Sequence, residues 1–178
     1  MMNFSKPSPE VTQQHVTRIA VRKLFGYLDY NIPPKEYDSM YDDLLILYGD
    51  NGCGKTTILR MLFNLLSTQP GGGRKTSLAT TPFERFEVHF SGGSNVIVDK
   101  ESGQLRGGYR VSIVGPDDQR ESFPLTCGPD GGIKPDGNPI QELYHSIARL
   151  GVSLYFLPDD RRVQAELSGD APAPRGTA

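Results

Sequence analysis

The residues whose types and spacing could do chemistry lie together in one glycine-rich segment, residues 49–57. The segment fits the pattern G-x-x-x-x-G-K-[ST], in which glycines let backbone N–H groups approach a phosphate closely. The pattern predicts that Lys55 reaches the β- and γ-phosphates of a nucleotide, as the residue that would act in phosphoryl transfer, and that the Thr56 hydroxyl ligates Mg²⁺. Contacts to the phosphates are predicted for the whole segment: Gly49, Asp50, Asn51, Gly52, Cys53, Gly54, Lys55, Thr56 and Thr57.

Two elements must position this segment. An apolar, β-prone run precedes it at residues 44–48, and apolar residues at helical spacing follow it to about Ser67. The predicted order is therefore strand, loop, helix, which turns the unpaired N–H groups and the positive end of the helix dipole toward a bound anion. The competing interpretation is a glycine-rich turn that carries a lysine by accident.

Length and charge set the wider limits. With 178 residues the chain can form one domain with a proper core, and its formal charge of −2 gives no support for binding nucleic acid through bulk charge, although a local basic patch stays possible. The first residues lack the apolar stretch of a signal peptide, and no run is long enough to span a bilayer. Two cysteines fit a reducing compartment. These features predict a cytoplasmic protein that does not enter a membrane.

Alternation of apolar and polar residues predicts most of the other elements. Two strands from Thr17 onward are expected to turn near Phe25 and Gly26, and a later antiparallel meander is expected at residues 83–90, 95–100 and 109–114. Residues 69–76 and 115–139 are predicted loops, residues 140–150 a helix capped by Gly151, and residues 152–157 an apolar strand. The predicted organisation is a flexible arm (1–14), a nucleotide-binding domain (15–162) and a disordered tail (163–178).

Three stretches of the chain resemble a known family. Residues 19–32 are similar to the opening pair of strands in ABC-type ATPase heads of the SMC, RecF and OLD-like branch, and residues 48–60 resemble that branch's Walker A loop. Residues 154–162 are a weaker match, and the resemblance covers roughly residues 17–162. It implies an α/β P-loop NTPase fold, namely an N-terminal lobe with an antiparallel β meander packed beside the P-loop strand and helix. It also implies ATP and Mg²⁺ as ligands, ATP bound between two heads, and a role such as DNA repair or phage defence.

The resemblance also exposes missing motifs, because a complete head needs a signature motif, a Walker B strand ending in Asp-Glu, a Q-loop glutamine and a switch histidine. The stretches at residues 90–94 and 167–170 imitate the signature, but the first is predicted in a strand-to-strand turn and the second lies too near the last residue given. Asp159 or Asp160 is the candidate replacement for Walker B. Of Arg161 and Arg162, one is a candidate phosphate or partner contact, with a solvated charge pair as the alternative.

Three functional hypotheses follow. The first is an ATP·Mg²⁺-binding domain whose hydrolysis depends on a homodimer or on a second polypeptide. The second is a nucleotide-binding regulatory subunit that does not hydrolyse ATP, and the third is a compact phosphotransferase that uses Asp159 or Asp160.

Other residues near the motif have open roles. The adenine is expected near residues 23–26, where Phe25 could stack on the base or pack against the P-loop helix. Cys53 is either a small filler or a thiol that bound ATP protects from labelling. The histidines are expected to serve surface or core packing.

Overall fold

A computed structural model describes residues 14–33 and 47–156. This part of the chain contains one six-stranded antiparallel sheet and three helices, and the strand order in the sheet is β2-β1-β3-β4-β5-β6. In chain order the elements are β1 (Val16–Leu24), β2 (Leu28–Ile32), α1 (Lys55–Leu66), α2 (Arg74–Thr80), β3 (Arg85–Phe90), β4 (Asn95–Lys100), β5 (Tyr109–Val114), β6 (Arg120–Leu125) and α3 (Ile140–Ala148).

Cross-strand register explains why one face of the sheet is buried. Val21 pairs with Phe86, Phe86 with Val98, Val98 with Val111 and Val111 with Phe123, so five strands bury one apolar row. Inward residues of the three helices join these side chains in a single core. The opposite face carries the alternate residues, which are mostly polar. The helices therefore form one layer against one face of the sheet.

The predicted hairpin, the predicted meander and the predicted helix after the glycine-rich segment are confirmed. β1 and β2 turn at residues 25–27, and β4 and β5 have the predicted bounds. The predicted α3 ends at Ala148, and Gly151 follows in the left-handed conformation with its N–H donating to the Ala148 carbonyl.

Four predictions of local structure were wrong within the described residues. Leu47 and Tyr48 are not in a strand, and Tyr48 is fully exposed; residues 44–46 lie outside the described part. Residues 74–76 belong to α2, and β6 lies inside the predicted loop at 115–139. Residues 152–155 form no strand, and Leu157 lies outside. The sequence pattern did not predict α2 and β6, because the glycines and prolines in and beside these segments are typical of loops.

The predicted arm and tail fall almost entirely on residues outside the described ranges, with only Gln14 of the arm inside them.

Candidate phosphate-binding loop

The loop at residues 49–54 bends back on itself through glycines. Gly49, Gly52 and Gly54 all have positive φ angles, and Gly54 at +90° directly precedes the first residue of α1. A Cβ atom on Gly54 would lie 2.8 Å from Leu24 Cδ2 and 3.3 Å from Phe25 Cε2. Both the backbone angle and the packing therefore require glycine at this position.

Backbone donors accumulate where the loop meets α1. The N–H groups of Gly52, Gly54, Lys55, Thr56 and Thr57 donate no hydrogen bond to any residue of the described ranges. Within α1, Ile58 is the first residue whose N–H has an acceptor among the described residues, the Gly54 carbonyl at 2.9 Å, and earlier in the loop the Cys53 N–H donates to the Asp50 carbonyl. These five N–H groups therefore lie at the N-terminal end of a twelve-residue helix, where the positive end of the helix dipole is located.

The Lys55 side chain folds back across the loop. Its Nζ donates to the carbonyl oxygens of Gly49 (2.6 Å) and Asp50 (2.7 Å), and it lies 3.5 Å from Cys53 Sγ. The ammonium group is therefore held at the loop by weakly charged acceptors that a phosphate, with full negative charge, would outcompete. This arrangement provides a cation beside the free N–H groups.

The β1–β2 hairpin supports the loop from the other side. The Tyr30 hydroxyl donates to the Cys53 carbonyl at 2.5 Å, and Leu24 and Phe25 pack against Gly54. Burial raises the pKa of the Tyr30 hydroxyl, and neighbouring Cys53 adds to this shift, so the group stays a protonated donor. Phe25 is 37% exposed, and its ring lies beside Gly54, while base stacking by Phe25 and its packing against α1 both stay predictions.

Exposure along the loop suits a ligand that arrives from solvent. Asp50, Asn51 and Thr56 are exposed, whereas Cys53 and Thr57 are half-buried. Among the described residues no group of three or more His, Cys, Asp or Glu side chains could hold a metal ion. Mg²⁺ beside a nucleotide needs few protein ligands, because water and phosphate oxygens complete its shell. The exposed Thr56 hydroxyl at the first turn of α1 fits that limited role.

Two buried lysines bind the C-terminal ends of α1 and α2. Lys75 of α2 donates through Nζ to the carbonyls of Asn64 (2.8 Å), Leu65 (2.7 Å) and Ser67 (3.0 Å), which terminate α1. Lys100 of β4 donates to the carbonyls of Leu78 (3.0 Å) and Ala79 (2.7 Å) near the end of α2. These lysines supply cationic donors at helix C-termini, where carbonyls lack intrahelical partners.

The environment of Lys100 is largely apolar. Its Nζ lies 4.8 Å from the centre of the Phe83 ring and 5.8 Å from that of Tyr109, and burial lowers the pKa of the Lys100 amine to about 8. Burial raises the pKa of Tyr109 strongly, which keeps its hydroxyl as a donor to the Lys75 carbonyl at 2.9 Å. A chain of contacts thus links β4 and β5 through α2 to α1.

Other predicted site residues are not brought to the loop by the described structure. Asp159, Asp160, Arg161 and Arg162 lie outside the described residues. Residues 91–94 form the turn between β3 and β4, as predicted for the false signature motif.

The histidines give no sign of a shared site. His89 is on β3 near Glu87, at 3.5 Å, and His145 is exposed on α3 with Nδ1 beside the Gln141 carbonyl. His15 precedes β1, and its backbone N–H donates to the Ser91 hydroxyl at 3.2 Å.

A groove lies on the open face of the sheet, away from the loop. This groove of about 590 Å³ is bordered by Arg18, Ala20, Arg22 and Glu87 among others, and none of residues 49–57 lines it. Several of its charged side chains are already committed, as in the ion pair between Lys23 and Glu84. We favour the loop over the groove as the ligand site because five backbone N–H groups of residues 52–57 have no acceptor within the described part of the chain.

Sequence reasoning missed the supporting residues Tyr30, Lys75 and Lys100. Alternation would have placed Tyr30 inward beside Leu28 and Ile32, since all three belong to one face of β2. Lys100 likewise continues the inward series of Val96 and Val98. An inward lysine signals a buried cation with partners, but the pattern does not say which carbonyls it meets.

Compared with models of known protein families and with curated protein sequences, this chain matches none of them. Within residues 14–33 and 47–156, every helix is too short or too polar to cross a lipid bilayer.

Proposed function

We propose that this chain is an ATP·Mg²⁺-binding domain of the ABC/SMC-like P-loop class. The observation that carries the proposal is the loop at residues 49–57, where Lys55 Nζ lies on the loop and five N–H groups at the start of α1 have no acceptor among residues 14–33 and 47–156. Anions bind at such helix starts because several N–H dipoles converge on one point. The sequence pattern of the loop indicates more specifically a nucleoside triphosphate with Mg²⁺ as the ligand.

Hydrolysis in this proposal depends on a second copy of the chain or on another polypeptide. Water attack on the γ-phosphate requires a group that orients the water, in addition to the positive charge of Lys55 and Mg²⁺. The chain's own candidates for a supporting acidic role, Asp159 and Asp160, lie outside the described residues. The proposal includes a cytoplasmic location, where ATP is available and the free thiols of Cys53 and Cys127 stay reduced.

The test separates binding from turnover. Equilibrium dialysis with ATP·Mg²⁺ measures binding, and phosphate release is then measured over a hundredfold range of protein concentration. We expect saturable binding at all concentrations, and turnover per chain that is negligible when dilute and rises only as chains associate or when a partner is added.

Turnover that is independent of concentration and lost on Asp159→Asn or Asp160→Asn would instead favour a self-contained phosphotransferase. Absence of saturable binding at millimolar ATP would contradict the proposal.

A further inference from the structure

Tyr30 makes a polar connection between the sheet and the loop at residues 49–54. It lies on β2 opposite Val21, on the face of the sheet that packs against the helices. Its hydroxyl donates to the Cys53 carbonyl at 2.5 Å, joining residues 23 positions apart in the chain. Among the described residues, the Cys53 N–H and Lys55 Nζ donate only within the loop, to residues 49–53.

The position of this bond matters because the carbonyl that accepts it belongs to the same peptide unit as the Gly54 N–H. The Cys53 carbonyl and the Gly54 N–H belong to one planar trans peptide, so they point in opposite directions. Holding the carbonyl against β2 therefore fixes the direction of the Gly54 N–H, which has no acceptor among the described residues. The same peptide leads into the left-handed Gly54, which precedes α1.

Phosphate binding would use this fixed direction. A loop that is free to rotate its peptides must be ordered when the ligand binds, and that ordering reduces affinity. The bonds from Lys55 cannot hold the loop once a ligand is bound, because its Nζ must then exchange the Gly49 and Asp50 carbonyls for phosphate oxygens. The bond from Tyr30 does not compete with the ligand, since it lies on the carbonyl side of the peptide.

We infer that Tyr30 is a positioning residue for nucleotide binding: its hydroxyl pre-orients the Gly54 N–H toward the phosphates through the Cys53 carbonyl. The inference rests on the proposed function of the loop. One hydrogen bond of ordinary strength corresponds to a change in affinity of about fivefold.

The test compares Tyr30→Phe with the matched control Tyr27→Phe. Tyr27 belongs to the same hairpin but is 73% exposed, and within the described ranges its hydrogen bond is from its N–H to the Leu24 carbonyl, not to the loop. We expect the Kd for ATP·Mg²⁺ to rise about fivefold in Tyr30→Phe and to stay unchanged in Tyr27→Phe. Labelling of the Cys53 thiol in nucleotide-free protein is expected to accelerate in Tyr30→Phe only, because the loop opens more often.

The second cysteine distinguishes a local effect from general loosening. Cys127 is half-buried and lies outside the loop, in a β-bridge with Ile133. Unchanged Cys127 labelling together with faster Cys53 labelling supports the inference. Equal acceleration at both thiols, or an unchanged Kd and unchanged Cys53 labelling, would overturn it. If wild-type protein binds no ATP, the proposed function fails, and the inference that Tyr30 positions a nucleotide falls with it; the Cys53 rates then report only whether Tyr30 holds the loop.

Discussion

Replacing Lys100 by methionine tests how the scaffold behind the loop is held. Methionine keeps an unbranched apolar stem but cannot donate to the Leu78 and Ala79 carbonyls. At pH 7 the lost charge-assisted bonds cost about 1.5–3 kcal/mol each. The variant also avoids the cost of burying a cation. In wild type this cost is about 3 kcal/mol, because folding lowers the pKa of Lys100 from 10.5 to about 8. We therefore expect a net destabilisation of about 0–3 kcal/mol at pH 7.

The pH dependence is the sharper part of this prediction. Because the folded pKa of Lys100 lies below its unfolded value, the unfolded state binds more protons between pH 8 and 10.5, and stability rises with pH there. Deprotonation leaves two amine hydrogens for the two carbonyls, so the bonds survive. Between pH 7 and pH 9 wild type should gain about 1 kcal/mol that Lys100→Met does not.

Urea unfolding at pH 7, 8 and 9 measures this difference. The exposed Lys134, which pairs with Asp130, provides the matched control, and Lys134→Met should shift stability by less than about 0.5 kcal/mol at each pH. A gap between wild type and Lys100→Met that is the same at pH 7 and pH 9 would refute the account of a buried cation.

Two predictions concern the loop itself. Gly54→Ala should lower the free energy of unfolding by about 1–3 kcal/mol and weaken ATP binding. Gly52→Ala should lower it less, because Gly52 also has a positive φ but no atom lies within 4 Å of the added Cβ. Thermal unfolding measures both losses, and equal losses would contradict the role of the Leu24 contact at Gly54. Bound ATP·Mg²⁺ should slow alkylation of Cys53 and leave Cys127 unaffected, as measured by mass spectrometry of the labelled protein; equal Cys53 rates with and without nucleotide would count against phosphates at the loop.

The parts of the fold that sequence predicts well are those with uninterrupted periodicity. β4 and β5 alternate cleanly, and α1 has apolar residues on one face, so local pattern and tertiary packing agree. β6 contains Pro124 on an edge strand, where a missing N–H is tolerated, and this residue hides the strand from a pattern search. α2 starts directly after three glycines, so its first turn reads as loop.

The candidate site also has a part that the sequence indicates and a part that it does not. Residues 49–57 could be proposed as a site from sequence alone because the phosphate-loop pattern consists of contiguous residues whose identities indicate the chemistry. Tyr30 supports the loop from 23 positions away, and Lys75 caps a helix that precedes its own. Such partners depend on how elements pack, which a single sequence does not specify.

The most direct test of the central claim is isothermal titration of ATP·Mg²⁺ into wild type and Lys55→Ala, with Lys134→Ala as the control for removing a lysine. Lys55 lies at the loop, whereas Lys134 pairs with Asp130. The account predicts saturable binding by wild type and Lys134→Ala, and a Kd raised at least tenfold, about 1.4 kcal/mol or more, in Lys55→Ala. Equal affinity of Lys55→Ala and wild type would contradict the account.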